Sequence, residues 1–159
     1  MLQQYNNIQV AIDGSYEAEM AFHKAIEVAK RNQATLHILH VIDTRAFQDV
    51  SSFDSSMVEQ VTETAKKTID EYQATAKAQG VNKVISKIEY GAPKTTIARN
   101  YPKDNDIDLI MIGATGLNAV ERLLIGSVTE FVTRNAPCDV LVVRTDLDGK
   151  PLKAPKEYK

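Results

Sequence analysis

Ile112-Gly113-Ala114-Thr115-Gly116-Leu117-Asn118-Ala119-Val120-Glu121-Arg122-Leu123-Leu124-Ile125-Gly126-Ser127-Val128 is the stretch whose reading decides the fold. It follows the apolar run 107–112, which reads as a buried strand, and leads into Ser127-Val128-Thr129-Glu130, which reads as the start of a helix. Such a segment is a strand-to-helix connection. Its glycines stand as Gly113, two residues, Gly116, nine residues, Gly126, followed at once by the hydroxyl of Ser127. Glycine lets backbone come close to a ligand, and the free N–H groups at a helix N-terminus attract anions, phosphate first among them. The same residues also read as architecture alone: Ser127 and Glu130 form a Ser-x-x-Glu capping box, and glycines that end a strand can simply make turns.

Outward from this loop the chain alternates strand and helix. Residues 8–12 have strand character, and Asp13-Gly14-Ser15 carries turn and helix-cap signals. Over 15–31 the apolar positions Ala18, Ala21, Phe22, Ala25, Ile26 and Ala29 recur at helical steps, and 35–42 is a nearly continuous apolar strand. Residues 43–55 are polar and aperiodic, a long loop of the kind that often serves binding. Ser56-Met57-Val58-Glu59 reads as a second capping box opening a helix that stops at Gly80, and 84–90 alternates like a strand. Gly91-Ala92-Pro93 starts a short helix that Pro102 is expected to end. Helix 127–135 and strand 139–143 complete the pattern.

Five strands with four intervening helices, joined by connections long enough for parallel crossovers, predict an α/β domain: a doubly wound five-stranded parallel sheet with helices on both faces. A single domain is expected over 1–145, with 146–159 as a flexible C-terminal tail. In such sheets ligands bind beyond the carboxyl ends of the strands where strand order reverses. Asp13, residues 41–43 and Gly113 all fall at carboxyl ends, so one site could collect them.

Composition narrows the function. A chain of 159 residues with net charge −2 carries no basic footprint for nucleic acid or an acidic membrane surface. No apolar run approaches the roughly 20 residues needed to span a bilayer, and residues 1–7 lack a signal-peptide pattern. Cys138 is the only cysteine, which fits a reducing compartment. The expected location is the cytoplasm.

Motif tests remove several chemistries. Asp13-Gly14-Ser15-Tyr16-Glu17 lacks G-x-G-x-x-G, no G-x-x-x-x-G-K-[ST] occurs, and no G-x-S-x-G elbow is present. His37 and His40 stand at odd spacing on one strand and point to opposite faces, so they do not form a metal pair. Cys138 follows Pro137 at a strand start with no base partner, which reads as an inert thiol.

Three features together resemble the universal stress protein family over about residues 6–145. They are Val10-Ala11-Ile12-Asp13-Gly14-Ser15, Leu39-His40-Val41-Ile42, and Asp108-Leu109-Ile110-Met111-Ile112-Gly113 leading into Gly-x2-Gly-x9-Gly-Ser. The complete glycine pattern is similar to that of the family's ATP-binding subgroup. The resemblance implies a Rossmann-like sheet of the adenine nucleotide alpha hydrolase kind. It also implies that backbone at Val41 binds the adenine edge, that Asp13 and Gly113 lie near the ribose, that Gly116, Gly126, Ser127 and Val128 hold the phosphates, and that Ile112 belongs to the same nucleotide-binding set. Asp13 as a turn residue, Val41 as strand core and Ser127 as a cap remain open beside those roles.

The chain departs from some ATP-binding relatives in having Ala114-Thr115 where they place a basic residue; Arg122 is the nearest cation in the loop. Lower phosphate affinity, or a tilt toward AMP or ADP, is the expected consequence. Magnesium or manganese would bridge phosphates, with no dedicated carboxylate cage visible. The resemblance further implies a homodimer through the last strand, where Val140-Leu141-Val142-Val143 is apolar enough to need covering; a buried central strand is the alternative. The leading expectation is a nucleotide-dependent sensor or switch with at most slow ATP hydrolysis. A nucleotide-independent dimeric interaction protein is the alternative, and an adenylate-forming enzyme would need an S-G-G-x-[DS] loop that Asp13-Gly14-Ser15-Tyr16 does not supply.

Overall fold

The computed structural model describes residues 4–47, 55–115 and 125–152. The chain runs as β1 (Asn7–Ala11), α1 (Tyr16–Asn32), β2 (Thr35–Asp43), a 3-10 turn (Thr44–Phe47), α2 (Ser55–Ala78) and β3 (Lys83–Gly91). It continues as α3 (Pro93–Thr95), a π turn (Thr96–Asn100), α4 (Tyr101–Asp104), β4 (Leu109–Gly113), α5 (Ser127–Asn135) and β5 (Asp139–Val143). All strand pairs are parallel, in the order β3-β2-β1-β4-β5. The order reverses between β1 and β4, so the expected doubly wound sheet is present, and its switch point lies between Gly113 at the end of β4 and Asp13 just beyond the end of β1.

Alternation along the strands sorts the core into two layers. Ile8, Val10, Leu36, Ile38 and Met111 face α1 and α2, whereas Leu39, Ile110 and Ile112 face the π turn, α4 and α5. Helix α1 forms because its expected stripe, Ala18 to Ala29, is buried. Ser15 Oγ caps it by accepting from Ala18 N–H at 3.1 Å, and Gln33, at φ 52°, ends it in the left-handed region. Helix α2 is described from Ser55, and Ser56 stands within it.

Pro102 does not end its helix, contrary to the sequence expectation; α4 runs on to Asp104. The π turn explains the difference. Tyr101 N–H reaches back five residues to Thr96 O, and in that register residue 102 would donate to Ile97 O. Proline has no N–H to give. The freed Ile97 carbonyl is taken by Gln9 Nε2 at 3.0 Å, which is why a fully buried glutamine sits in the middle of β1.

Beside it, His37 is buried between Tyr101 and Asn7: Nδ1 lies 2.9 Å from Tyr101 Oη and Nε2 lies 3.1 Å from Asn7 Oδ1. A neutral ring with its proton on Nε2 satisfies both, donating to the Asn7 carbonyl oxygen and accepting from the phenol. Burial, and secondarily the Lys83 charge, lower the His37 pKa below its ordinary 6.5. Between that lowered value and 6.5 the unfolded chain binds a proton that the folded one does not, so stability rises with pH across this window. The protein is therefore expected to keep this contribution above pH 6.5 and lose it progressively as the medium is acidified below that. Thermal melts from pH 7 downward should show the decline, and His37→Gln should flatten it; an equal slope in both proteins would contradict the assignment.

Strand β5 lies at the sheet's edge, not at its centre, and Leu141 is 41% exposed on it. Residues 146–152 of the expected tail turn back toward the sheet, and 153–159 lie outside the described residues. Asp146 N–H donates to Lys150 O at 2.8 Å, Leu152 N–H to Arg144 O at 3.1 Å, and Leu152 packs against the α1 layer. No helix among the described residues is long and apolar enough to cross a membrane.

Candidate functional site

At the end of β1 the chain must turn sharply into α1. Asp13 Oδ1 accepts from Ser15 N–H at 2.9 Å, and Gly14 takes φ +84°, a conformation that favours glycine. The Asp13 side chain is exposed. It borders a cavity of about 490 Å³ lined by Ile12, Asp13, Gly14 and His40 from the sheet and by residues of α2, including Gln60, Val61 and Thr64. That volume lies within the range of small-molecule sites, and the lining combines apolar walls with a few polar groups.

The end of β4 is fixed from three sides. Ala114 N–H donates to Val143 O at 3.1 Å, Gly126 N–H donates to Ala114 O at 2.7 Å, and the buried Thr129 hydroxyl donates to Gly113 O at 2.7 Å. These bonds set the first turn of α5 directly over the carboxyl end of β4. The capping box expected from Ser127 and Glu130 is not formed. Gly126, at φ −70° and ψ 160°, is the cap residue and Ser127 is already helical, while Glu130 pairs with Arg134 at 3.0 Å. A glycine cap has no side chain to cover the helix, so the first-turn N–H groups of α5 have no side-chain cap among the described residues.

Gly113 has a structural role of its own. A Cβ built there would stand 3.0 Å from the carbonyl carbon, the carbonyl oxygen and the Cβ of Glu17, in the first turn of α1. Two of those atoms are backbone and cannot swing away. Gly113→Ala is expected to cost about 1–3 kcal/mol in urea unfolding as α1 and β4 are pushed apart; an unchanged midpoint would show that the contact yields.

The β1–β2 ladder ends in an unusual way. Odd-numbered residues of β2 turn their backbone groups toward β1: Thr35 N–H donates to Asn6 O and Leu39 O accepts from Ile12 N–H, both at 2.9 Å. The next rung would join Val41 N–H to Ile12 O. That bond is absent from the described backbone, and Ile12 O accepts instead from His40 Nδ1 at 2.8 Å. Strand β2 continues to Asp43, pairing only with β3, so the backbone of Val41 faces the opening beyond β1.

Val41 and Gly113 stand at the carboxyl ends of β2 and β4, Asp13 just beyond that of β1, and Gly126, Ser127 and Val128 at the start of α5; of these, Asp13 lines the cavity. Gly116 lies outside the described residues. The Ile112 side chain is buried in the α5 layer and Val41 packs against the same layer, which leaves their backbones as the parts able to meet a ligand. His40 and the α2 wall were missed in the sequence. Their signal was there: Gln60, Thr64 and Thr68 recur every four residues beside Val61 and Ala65, a polar stripe on what should be a buried face. Burial, and then Asp108 and Asp139, push the Cys138 thiol up to about 11, which disfavours the thiolate. Among the described residues no group of three His, Cys, Asp or Glu side chains could hold a metal.

The sequence pattern of the universal stress protein family matches residues 4–144. A relative from Staphylococcus haemolyticus, named as a universal stress protein, is 44% identical over 98% of this chain and 96% of its own. The solved universal stress protein UspA from Lactobacillus plantarum is 34% identical, with a TM-score of 0.75 over 90% of this chain and all of that one, 100%. A universal stress protein solved in complex with cAMP shares the fold, with a TM-score of 0.68 and 24% identity over 89% of this chain and 98% of that one.

Proposed function

The chain belongs to the universal stress protein family, and from that premise we propose that it binds ATP, with ADP or AMP as alternative occupants, and works as a nucleotide-dependent sensor or switch in the cytoplasm. The observation that carries this reading is the first turn of α5, left without a side-chain cap above the end of β4, the strand that neighbours β1 and the Asp13 turn following it. Phosphates would be held by the N–H groups of Gly126, Ser127 and Val128, together with Gly116. Asp13 would accept from ribose hydroxyls, with backbone at Ile112 and Gly113 beside it, and the free backbone edge of Val41 would read adenine. Magnesium or manganese would be held through the phosphates rather than by a protein cage. Hydrolysis is at most slow on this reading, because Asp13 and Glu121 are the only carboxylates assigned near the nucleotide, and Glu121 lies outside the described residues.

We also propose a homodimer through β5, whose outer edge carries the exposed Leu141. Leu141→Lys should shift the protein to the monomer in sedimentation; a wild-type monomer would contradict the pairing. The tight contact of Gly113 with Glu17 favours a second reading, in which the glycines serve packing and the dimer is a nucleotide-independent interaction platform. One experiment separates the two. Nucleotide carried by the purified protein is released and identified, and the emptied protein is titrated with ATP, ADP and AMP. Bound adenine nucleotide with micromolar or tighter rebinding supports the first reading. No nucleotide and no rebinding overturns it.

A further inference from the structure

We infer that His40 is a positioning residue of the nucleotide site: its imidazole takes the Ile12 carbonyl that would otherwise complete the β1–β2 ladder, and so keeps the Val41 N–H free to meet the base. The inference rests on the adenine-binding reading above but concerns a bond within the protein.

A parallel ladder propagates as long as each N–H finds the carbonyl opposite, because an unpaired backbone group loses a hydrogen bond. Here the strands run on past the last rung. Ile12 N–H still bonds Leu39 O at 2.9 Å, so Ile12 and Val41 are held in neighbouring positions and the next rung is within the ladder's own register. It does not form, and Ile12 O is held instead by His40 Nδ1–H at 2.8 Å. A carbonyl only accepts, so the proton is on Nδ1. His40 can do this because, on an even position of β2, its side chain leaves the sheet on the α2 side, where it also lines the cavity. The effect is an exchange of partners: the carbonyl is satisfied by a side chain and the donor of Val41 is kept in reserve. Adenine offers an acceptor and an amino donor on one edge, which matches the N–H and C=O that Val41 turns toward the opening.

The test compares the wild type with His40→Leu, which removes the competing donor, and His40→Asn, whose amide nitrogen can occupy the Nδ1 position. Amide hydrogen exchange is followed in nucleotide-free protein, with Leu36 and Ile38 in the same strand as controls for global stability. The Val41 amide is expected to exchange freely in the wild type and in His40→Asn, and to become about ten-fold or more protected in His40→Leu as the rung closes. ATP affinity should fall by about ten-fold or more in His40→Leu and recover in His40→Asn. Equal Val41 exchange in all three proteins, with the controls unchanged, overturns the inference. Failure of the wild type to bind ATP would overturn the nucleotide reading instead, while the exchange result still decides whether His40 holds the rung open.

Discussion

Phe22→Ala is expected to lower the free energy of unfolding by about 3–5 kcal/mol, a large share of the 5–15 kcal/mol typical of a domain. Phe22 is 1% exposed and lies on α1, where its ring meets the edge of Tyr72 on α2 at 4.6 Å and 82°. It therefore joins both helices of that layer to the sheet. Truncation removes the apolar area and leaves a void that two helices and a sheet cannot collapse together. The same loss should reach the site, because α2 carries Gln60, Thr64 and Thr68 along the cavity wall. Urea unfolding and ATP titration of the variant are expected to show reduced stability and weaker binding together; a loss below about 1 kcal/mol would mean that the layer repacks.

Asp13→Asn is the second change with a large expected effect, and it separates two roles that the sequence leaves open. Asparagine keeps a carbonyl oxygen able to accept from Ser15 N–H, the turn bond seen at 2.9 Å. It removes the charge that would strengthen bonds from ribose hydroxyls. Stability should change by no more than about 0.5 kcal/mol while ATP affinity falls by about ten-fold or more. Comparison with 2′,3′-dideoxy-ATP sharpens the result, since wild type should discriminate between the two nucleotides and the variant should not. If Asp13 served only the turn, Asp13→Asn would leave affinity and discrimination intact.

Much of the architecture was legible because it is written in periodic burial. The stripe from Ala18 to Ala29 and the continuous apolar run of β2 state which surfaces must be covered, and crossover lengths impose parallel pairing. What escaped depends on competition for individual hydrogen bonds. Pro102 continues a helix because Gln9, far away in sequence, takes the carbonyl that proline orphans. Ser127 misses its capping box because Gly126 occupies the cap position, while the hydroxyl of Thr129 holds Gly113 O. In the same way, Gly113 is marked in the sequence as a ligand-facing glycine, yet a Cβ there would press on the Glu17 backbone at 3.0 Å. Of the glycine pattern, Gly113 was legible as a strand end and Gly126, Ser127 and Val128 as a helix start. His40 was not, because its importance comes from which carbonyl it reaches across the end of β1.

The proposed adenine nucleotide site lies at the β1–β4 switch point. Its most direct test is the amide NMR spectrum of nucleotide-free protein recorded with and without ATP. Perturbed amides are expected to cluster at Gly14, Val41, Gly113, Ser127 and Val128, which come from separate parts of the chain and meet only at these strand ends. Saturating ATP that leaves those amides unmoved, or that shifts only residues along the β3 edge, would contradict it.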